Sequence, residues 1–203
     1  GGKLHVPKDK LNSLYKKIVK YGIEEEQNVQ LVERMGEFHP LVFDIDIKYK
    51  DIIKQRQYTS ETISKLLSYL WAKISEIFEI QDVQKEMWLM EKEQPYPCVT
   101  HKSYKFKDGI HIGIPYIHVS RRVYRVLCEI IKDEGVITDI FNETCEIIPA
   151  NPGSLFDGTF TSWQPYGCSK KNESYYKLTK VYKIDENDIP EKITDTVFNN
   201  YYN

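Results

Sequence analysis

The sequence predicts an α+β fold in which helices cover a sheet, and two patterns carry that reading. Long amphipathic stretches separate the short β-rich runs, which argues against an all-β arrangement. Two strand-like runs, residues 99–106 and 110–114, meet at Lys107-Asp108-Gly109, and a hairpin there argues against an all-parallel sheet. At 203 residues the chain suits one domain with a real core.

Leu11, Leu14, Tyr15, Ile18 and Tyr21 recur at helical spacing before Gly22, and a second short helix is expected over residues 24–35. Residues 3–36 thus read as an N-terminal helical approach. Residues 40–47 alternate apolar and acidic positions after Pro40, predicting a buried strand whose acids share one face. Ile63, Leu66, Leu67, Leu70, Trp71, Ile74, Ile77 and Phe78 form the apolar stripe of a helix that begins at Thr59. A further strand is expected over residues 85–90. Ser120 caps a helix carrying Val123, Val126, Leu127, Ile130 and Ile131, which should end near Gly135. A short apolar segment at 137–141, a loop at 149–154, and late strands near Phe156 and over 175–184 complete the core, taken as residues 37–184. Residues 185–203 read as a C-terminal extension.

Acidic and basic residues nearly cancel, 30 against 28, so no whole-protein field marks a nucleic-acid partner and any basic surface is local. The four cysteines, Cys98, Cys128, Cys145 and Cys168, lie far apart without zinc-type spacing, so a reduced intracellular protein with no structural zinc is expected. No apolar run reaches the roughly 18 residues of a membrane span, and no signal core is present, so no membrane partner is expected. Gly1 and Gly2 read as an expression scar, and the polar end at Asn199 to Asn203 reads as a cut from something longer.

Asp44 and Asp46 stand two apart in an apolar strand, about 6.5 to 7 Å apart at the Cα level and on one face. Two buried carboxylates repel each other, and magnesium or manganese between them would relieve that, two ions being able to brace a phosphoryl displacement. A strand that merely ends at a polar rim gives the same two letters. His111 follows a glycine, Gly109-Ile110-His111, within an otherwise apolar strand. It reads as a satisfied structural histidine or as a phosphate contact made where glycine lets a ligand approach the backbone. Phe156-Asp157 puts an acid at a loop-to-strand junction. Beyond it, Trp163-x-x-Tyr166-Gly167-Cys168-Ser169-Lys170-Lys171 offers a glycine turn able to bind phosphate through backbone N–H groups and a lysine, or simply a turn with solvated lysines. Trp163, Tyr166, Tyr175 and Tyr176 read as core or as rings that stack on bases, and mostly as core.

The order of these pieces resembles the archaeo-eukaryotic primase superfamily, whose motifs are an acidic pair on a strand, a small residue-x-His, and a hydrophobic-Asp. More narrowly, HPLVFDIDIKY, RQYTSETI, KDGIHIGIPYI and WQPYGCSK look like the primase region of fused primase-helicases of large cytoplasmic DNA viruses, of the poxvirus, asfarvirus and mimivirus type, over residues 35–182. The resemblance implies an RRM-like sheet with a small N-terminal α/β module, and a DNA primase working by divalent-metal nucleotidyl transfer. It makes Asp44, Asp46 and Asp157 ligands of Mg2+ or Mn2+. It makes His111, Ser169, Lys170 and Lys107 contacts of the nucleotide's phosphates. Its implied partners are single-stranded DNA template, nucleoside triphosphates and a helicase domain of the same parent chain, and its implied location is the host cytoplasm. No G-x-x-x-x-G-K-[ST] of a helicase ATPase occurs, nor a zinc module. A two-metal nuclease and a non-catalytic RRM-like nucleic-acid-binding module are the competing readings.

Overall fold

The computed structural model describes residues 3–99, 101–158 and 162–201. Gly1 and Gly2, and Tyr202 and Asn203 of the polar end, lie outside the described residues.

The sheet is built on β2 (Phe38–Tyr49), β3 (Glu86–Glu91), β5 (Phe106–Ser120), β6 (Phe156–Asp157), β8 (Lys177–Ile184) and β9 (Pro190–Lys192), with β4 (Tyr96–Pro97) added on β5. Its strand order is β6-β2-β5-β3-β8-β9, and the described pairings are antiparallel. Helix α2 (Ser60–Ile77) joins β2 to β3, and α3 (Arg121–Glu134) with α4 (Val136–Thr144) joins β5 to β6. The strands β2, β3, β5 and β6 therefore follow a strand-helix-strand-strand-helix-strand path with spatial order fourth-first-third-second, the RRM-like arrangement expected. Among the described residues no helix is long and apolar enough to cross a membrane.

Alternation on the strands makes the core. Leu41, Phe43, Ile45 and Ile47 of β2 and Ile110, Ile112 and Ile114 of β5 are fully buried, facing Ile63, Leu66, Leu67 and Leu70 of α2. Each such side chain contributes about 1.5–3 kcal/mol through removal from water. α2 starts where the sequence places it: Thr59 and Thr62 exchange side-chain to backbone hydrogen bonds of 3.3 and 3.0 Å in a capping box. Ser120 likewise accepts from the Val123 N–H at 3.3 Å, and α3 stops at Gly135, whose φ of 70° a side chain would resist. The face that α3 buries is Tyr124, Leu127, Cys128 and Ile131, whereas Val123, Val126 and Ile130 are partly exposed.

The N-terminal segment differs from expectation. Helix α1 (Leu11–Ile18), opened by a 3-10 turn at Lys8–Lys10, continues as a π turn through Val19–Glu24. Residues 24–35 then form no second helix. Glu26 takes a φ of 51°, outside the right-handed helical region, and Glu33–Arg34 becomes strand β1, pairing with β7 (Ser162–Trp163). The hairpin is also displaced. β5 runs unbroken through Lys107-Asp108-Gly109, and the reversal lies at residues 98–105, between β4 and β5. Thr100, inside the run expected as a strand, lies outside the described residues. The buried Asp108 carboxylate explains the continuity: it receives the Arg56 guanidinium at 3.1 Å and its own neighbour's Gly109 N–H at 2.8 Å. Residues 137–141 are helical as part of α4.

Candidate active site on the open face of the sheet

The sheet face away from the core gathers the sequence-predicted acids. In register, Asp44 stands between His111 of β5 and Asp157 of β6, and Asp46 lies opposite Gly109. Three carboxylates thus come onto adjacent strands at one end of the sheet. Asp44 Oδ1 is buried without a hydrogen-bond partner, and His111 Nε2 lies 3.5 Å from it. Burial, and then the negative charges of Asp46 and Asp157, push the Asp44 carboxyl up to about 7, with Lys170 and Lys107 pulling only partly the other way. Asp46 is ion-paired with Lys48 at 3.0 Å. As the side chains stand, no group of three or more His, Cys, Asp or Glu among the described residues converges into a metal cage. The orphaned oxygen and the all-oxygen donor set nevertheless suit a hard divalent cation, which would relieve the repulsion that raises Asp44.

His111 is buried, and that burial, reinforced by the positive charges of Lys92 and Lys170, holds its imidazole neutral, well below the usual histidine range. Tyr176 stacks on it with ring centroids 3.4 Å apart at 16°, and Trp163 packs on it at 4.2 Å. Neither Trp163, Tyr166, Tyr175 nor Tyr176 belongs to the buried core. Trp163, Tyr166 and Tyr176 cover the open face and Tyr175 packs edge-on against Tyr166, which is exposed while the others are part-buried.

The glycine turn is built for support more than for backbone anion binding. Gly167 takes a φ of 83°, the Cys168 N–H donates to Pro165 O at 2.9 Å, and the Ser169 N–H donates to Val29 O at 3.0 Å. Ser169 is buried, and its hydroxyl accepts from the Asn28 side-chain amide at 2.6 Å. Lys170 is exposed, and its charge reaches both Asp44 and His111. Lys107 is buried against Glu173 at 3.2 Å, and Lys92 holds the same carboxylate at 3.3 Å.

Sequence reasoning placed the acids and His111 but missed Lys92, Glu173 and Asn28. Lys92 directly follows β3, and the letters there, Met90-Glu91-Lys92-Glu93, look like any polar strand edge. Glu173 and Asn28 carry no local signal at all. Gly113 did carry one: with Gly109 it flanks His111 at two-residue spacing, so His111 is the sole side chain on that stretch of the open face.

Residues 1–182 match the family described as the C962R protein N-terminal AEP domain. The chain is also 25% identical over 190 residues to "Putative helicase 184R" of Invertebrate iridescent virus 6, a stretch that covers 83% of this chain and 19% of that protein. The chain therefore spans about a fifth of the length of that relative.

Proposed function

Because the chain belongs to the C962R type of archaeo-eukaryotic primase domain, we propose that it is a DNA primase that joins nucleotides into primers on single-stranded template. The observation that carries this reading is the register of Asp44 between Asp157 and His111, with its buried Oδ1 left without a hydrogen-bond partner. Asp44, Asp46 and Asp157 would hold Mg2+ or Mn2+. Bound there, a divalent cation supplies charge neutralisation at the transferring phosphoryl group and acidifies the attacking 3′-hydroxyl.

The remaining work falls to the chain's own side chains. The Lys170 and Lys107 ammonium groups neutralise the triphosphate, and Lys107 reaches it once the phosphates compete with Glu173. Neutral His111 donates one ring N–H to a phosphate oxygen. Ser169, tied to Asn28, fixes the turn that presents Lys170, and its hydroxyl meets the triphosphate only if Asn28 yields it. In the parent protein the partners are nucleoside triphosphates, template strand and a helicase portion of the same polypeptide, at a viral replication site in the host cytoplasm. The match to a protein described as a helicase supports the helicase portion.

The test is primer synthesis on single-stranded DNA with labelled ribo- or deoxynucleotides and magnesium or manganese, beside the Asp44→Ala/Asp46→Ala variant. Short template-dependent products from the unaltered chain alone are expected. Cleavage of the template without added triphosphate would point to a nuclease instead. Absence of products together with absence of metal-dependent triphosphate binding would refute the assignment.

A further inference from the structure

A cavity of about 510 Å³ opens on the same sheet face, on the side of His111 remote from Asp46. Its origin is the pair of glycines around His111. A Cβ on Gly109 would collide with the Tyr176 hydroxyl, so that hollow is filled by the tyrosine. Gly113, opposite Val42 in register, leaves the second hollow open, bounded by Met90 and Trp88 of β3. Trp163 forms a wall, held there by the β1–β7 ladder in which it pairs with Glu33, and Arg34 of the same ladder stands at the exposed rim. Phe38, also exposed, lines the mouth.

We infer that this cavity is a nucleobase site, the floor provided by Gly113 and the flat walls by Trp88 and Trp163. Three features favour a base over a purely apolar guest. Part-buried indoles and a tyrosine ring offer π faces on which any base can stack. The Trp88 indole is fixed in place, donating to Glu86 at 2.5 Å. The cavity shares His111 and Tyr176 with the acidic site, one two-residue strand step from Asp44. That step is about 6.5 to 7 Å, close to the span from a nucleotide's base to its phosphate. The inference names the base-binding part of the site and so rests on the nucleotidyl-transfer reading above. The base comes either from the nucleoside triphosphate or from an unstacked position of a single strand.

Two of the three tryptophans line the cavity and the third, Trp71, is buried in the core, so intrinsic fluorescence reports occupancy. Adenosine triphosphate with manganese, a short oligodeoxythymidylate in excess chelator, and inorganic tripolyphosphate are titrated in turn. Quenching by one or both base-bearing probes, and none by tripolyphosphate, is expected, and which of the two quenches identifies the source. Gly113→Leu places a side chain in the floor, where its Cβ meets the flexible Met90 tip at 3.2 Å. It should weaken that probe by about tenfold or more while leaving the thermal midpoint near wild type. Trp163→Leu, which removes a wall without filling the floor, should weaken it similarly if Gly113→Leu fails to fold. Unchanged affinity in a folded variant, or equal quenching by tripolyphosphate, would overturn the inference. Quenching by the oligodeoxythymidylate, with neither primer synthesis nor metal-dependent triphosphate binding, would sink the primase reading alone, and primer synthesis with Gly113→Leu affinity unaltered would sink the base site alone.

Discussion

Replacing Asp44 by Asn in the metal-free protein should stabilise it, and more so at high pH. The carboxyl rises from 3.8 to about 7 in the folded state because burial and two neighbouring acids penalise its charge. A raised folded pKa means that the unfolded chain releases this proton first, so stability is complete below the unfolded value and falls as pH rises toward the folded one. About three pKa units correspond to about 4 kcal/mol at most, lost progressively between roughly pH 4 and 7 and fully absent above. Urea unfolding in chelator at pH 5 and pH 8 measures it. The variant should gain on the wild type by about 2–3 kcal/mol more at pH 8 than at pH 5. Manganese at pH 8 should raise the wild-type midpoint and have far less effect on the variant. A variant that is no more stable than wild type at pH 8, with parallel pH profiles, would refute the claim that Asp44 holds an uncompensated charge.

Arg56→Ala should cost about 3–5 kcal/mol in chemical denaturation, because it strands the buried carboxylates of Asp108 and Glu91, which it meets at 3.1 and 3.0 Å. Gly109→Ala forces the Tyr176 ring aside and should lose about 1–3 kcal/mol, and adding Tyr176→Phe should restore part of that loss. If the double variant is no better than the single one, the collision is misplaced. Glu173→Gln leaves Lys92 and Lys107 facing a neutral amide, so the variant should melt earlier yet gain more thermal stability from tripolyphosphate than wild type does. Lys170→Ala should weaken triphosphate binding with little change in the melting midpoint, since the side chain is exposed.

What was readable in the sequence was periodic or punctuated. The alternation through Phe43-Asp44-Ile45-Asp46 fixed both the core face and the acidic face of β2, and Thr59, Ser120 and Gly135 marked helix ends that the structure keeps. What failed was decided by partners far along the chain. Lys107-Asp108-Gly109 has the letters of a turn, but Asp108 answers to Arg56, 52 residues away, and Lys107 to Glu173, 66 residues away. Trp163 and Tyr176 look like core because they are large and apolar, and only His111 beneath them reveals that they roof the open face. The missed lysine, Lys92, belongs to the same class: besides the nearby Tyr96 ring, its surroundings come from the distant Tyr176 ring and Glu173.

The tie between Asn28 and the glycine turn also sets an order of assembly. Asn28 donates to Ser169, Lys170 and Glu173 across as many as 145 residues, and the absence of a side chain at Gly22 allows the Gly167 carbonyl to press against that bend. Closing so long a loop costs about 2 kcal/mol more than closing a ten-residue one. The helices and the β2–β5 ladder can form first, but the roof over His111 waits until both ends of this stretch have been synthesised and brought back together. A chain emerging from the ribosome therefore exposes its acidic face for as long as that closure takes, and pairings of such long sequence separation are the slow ones.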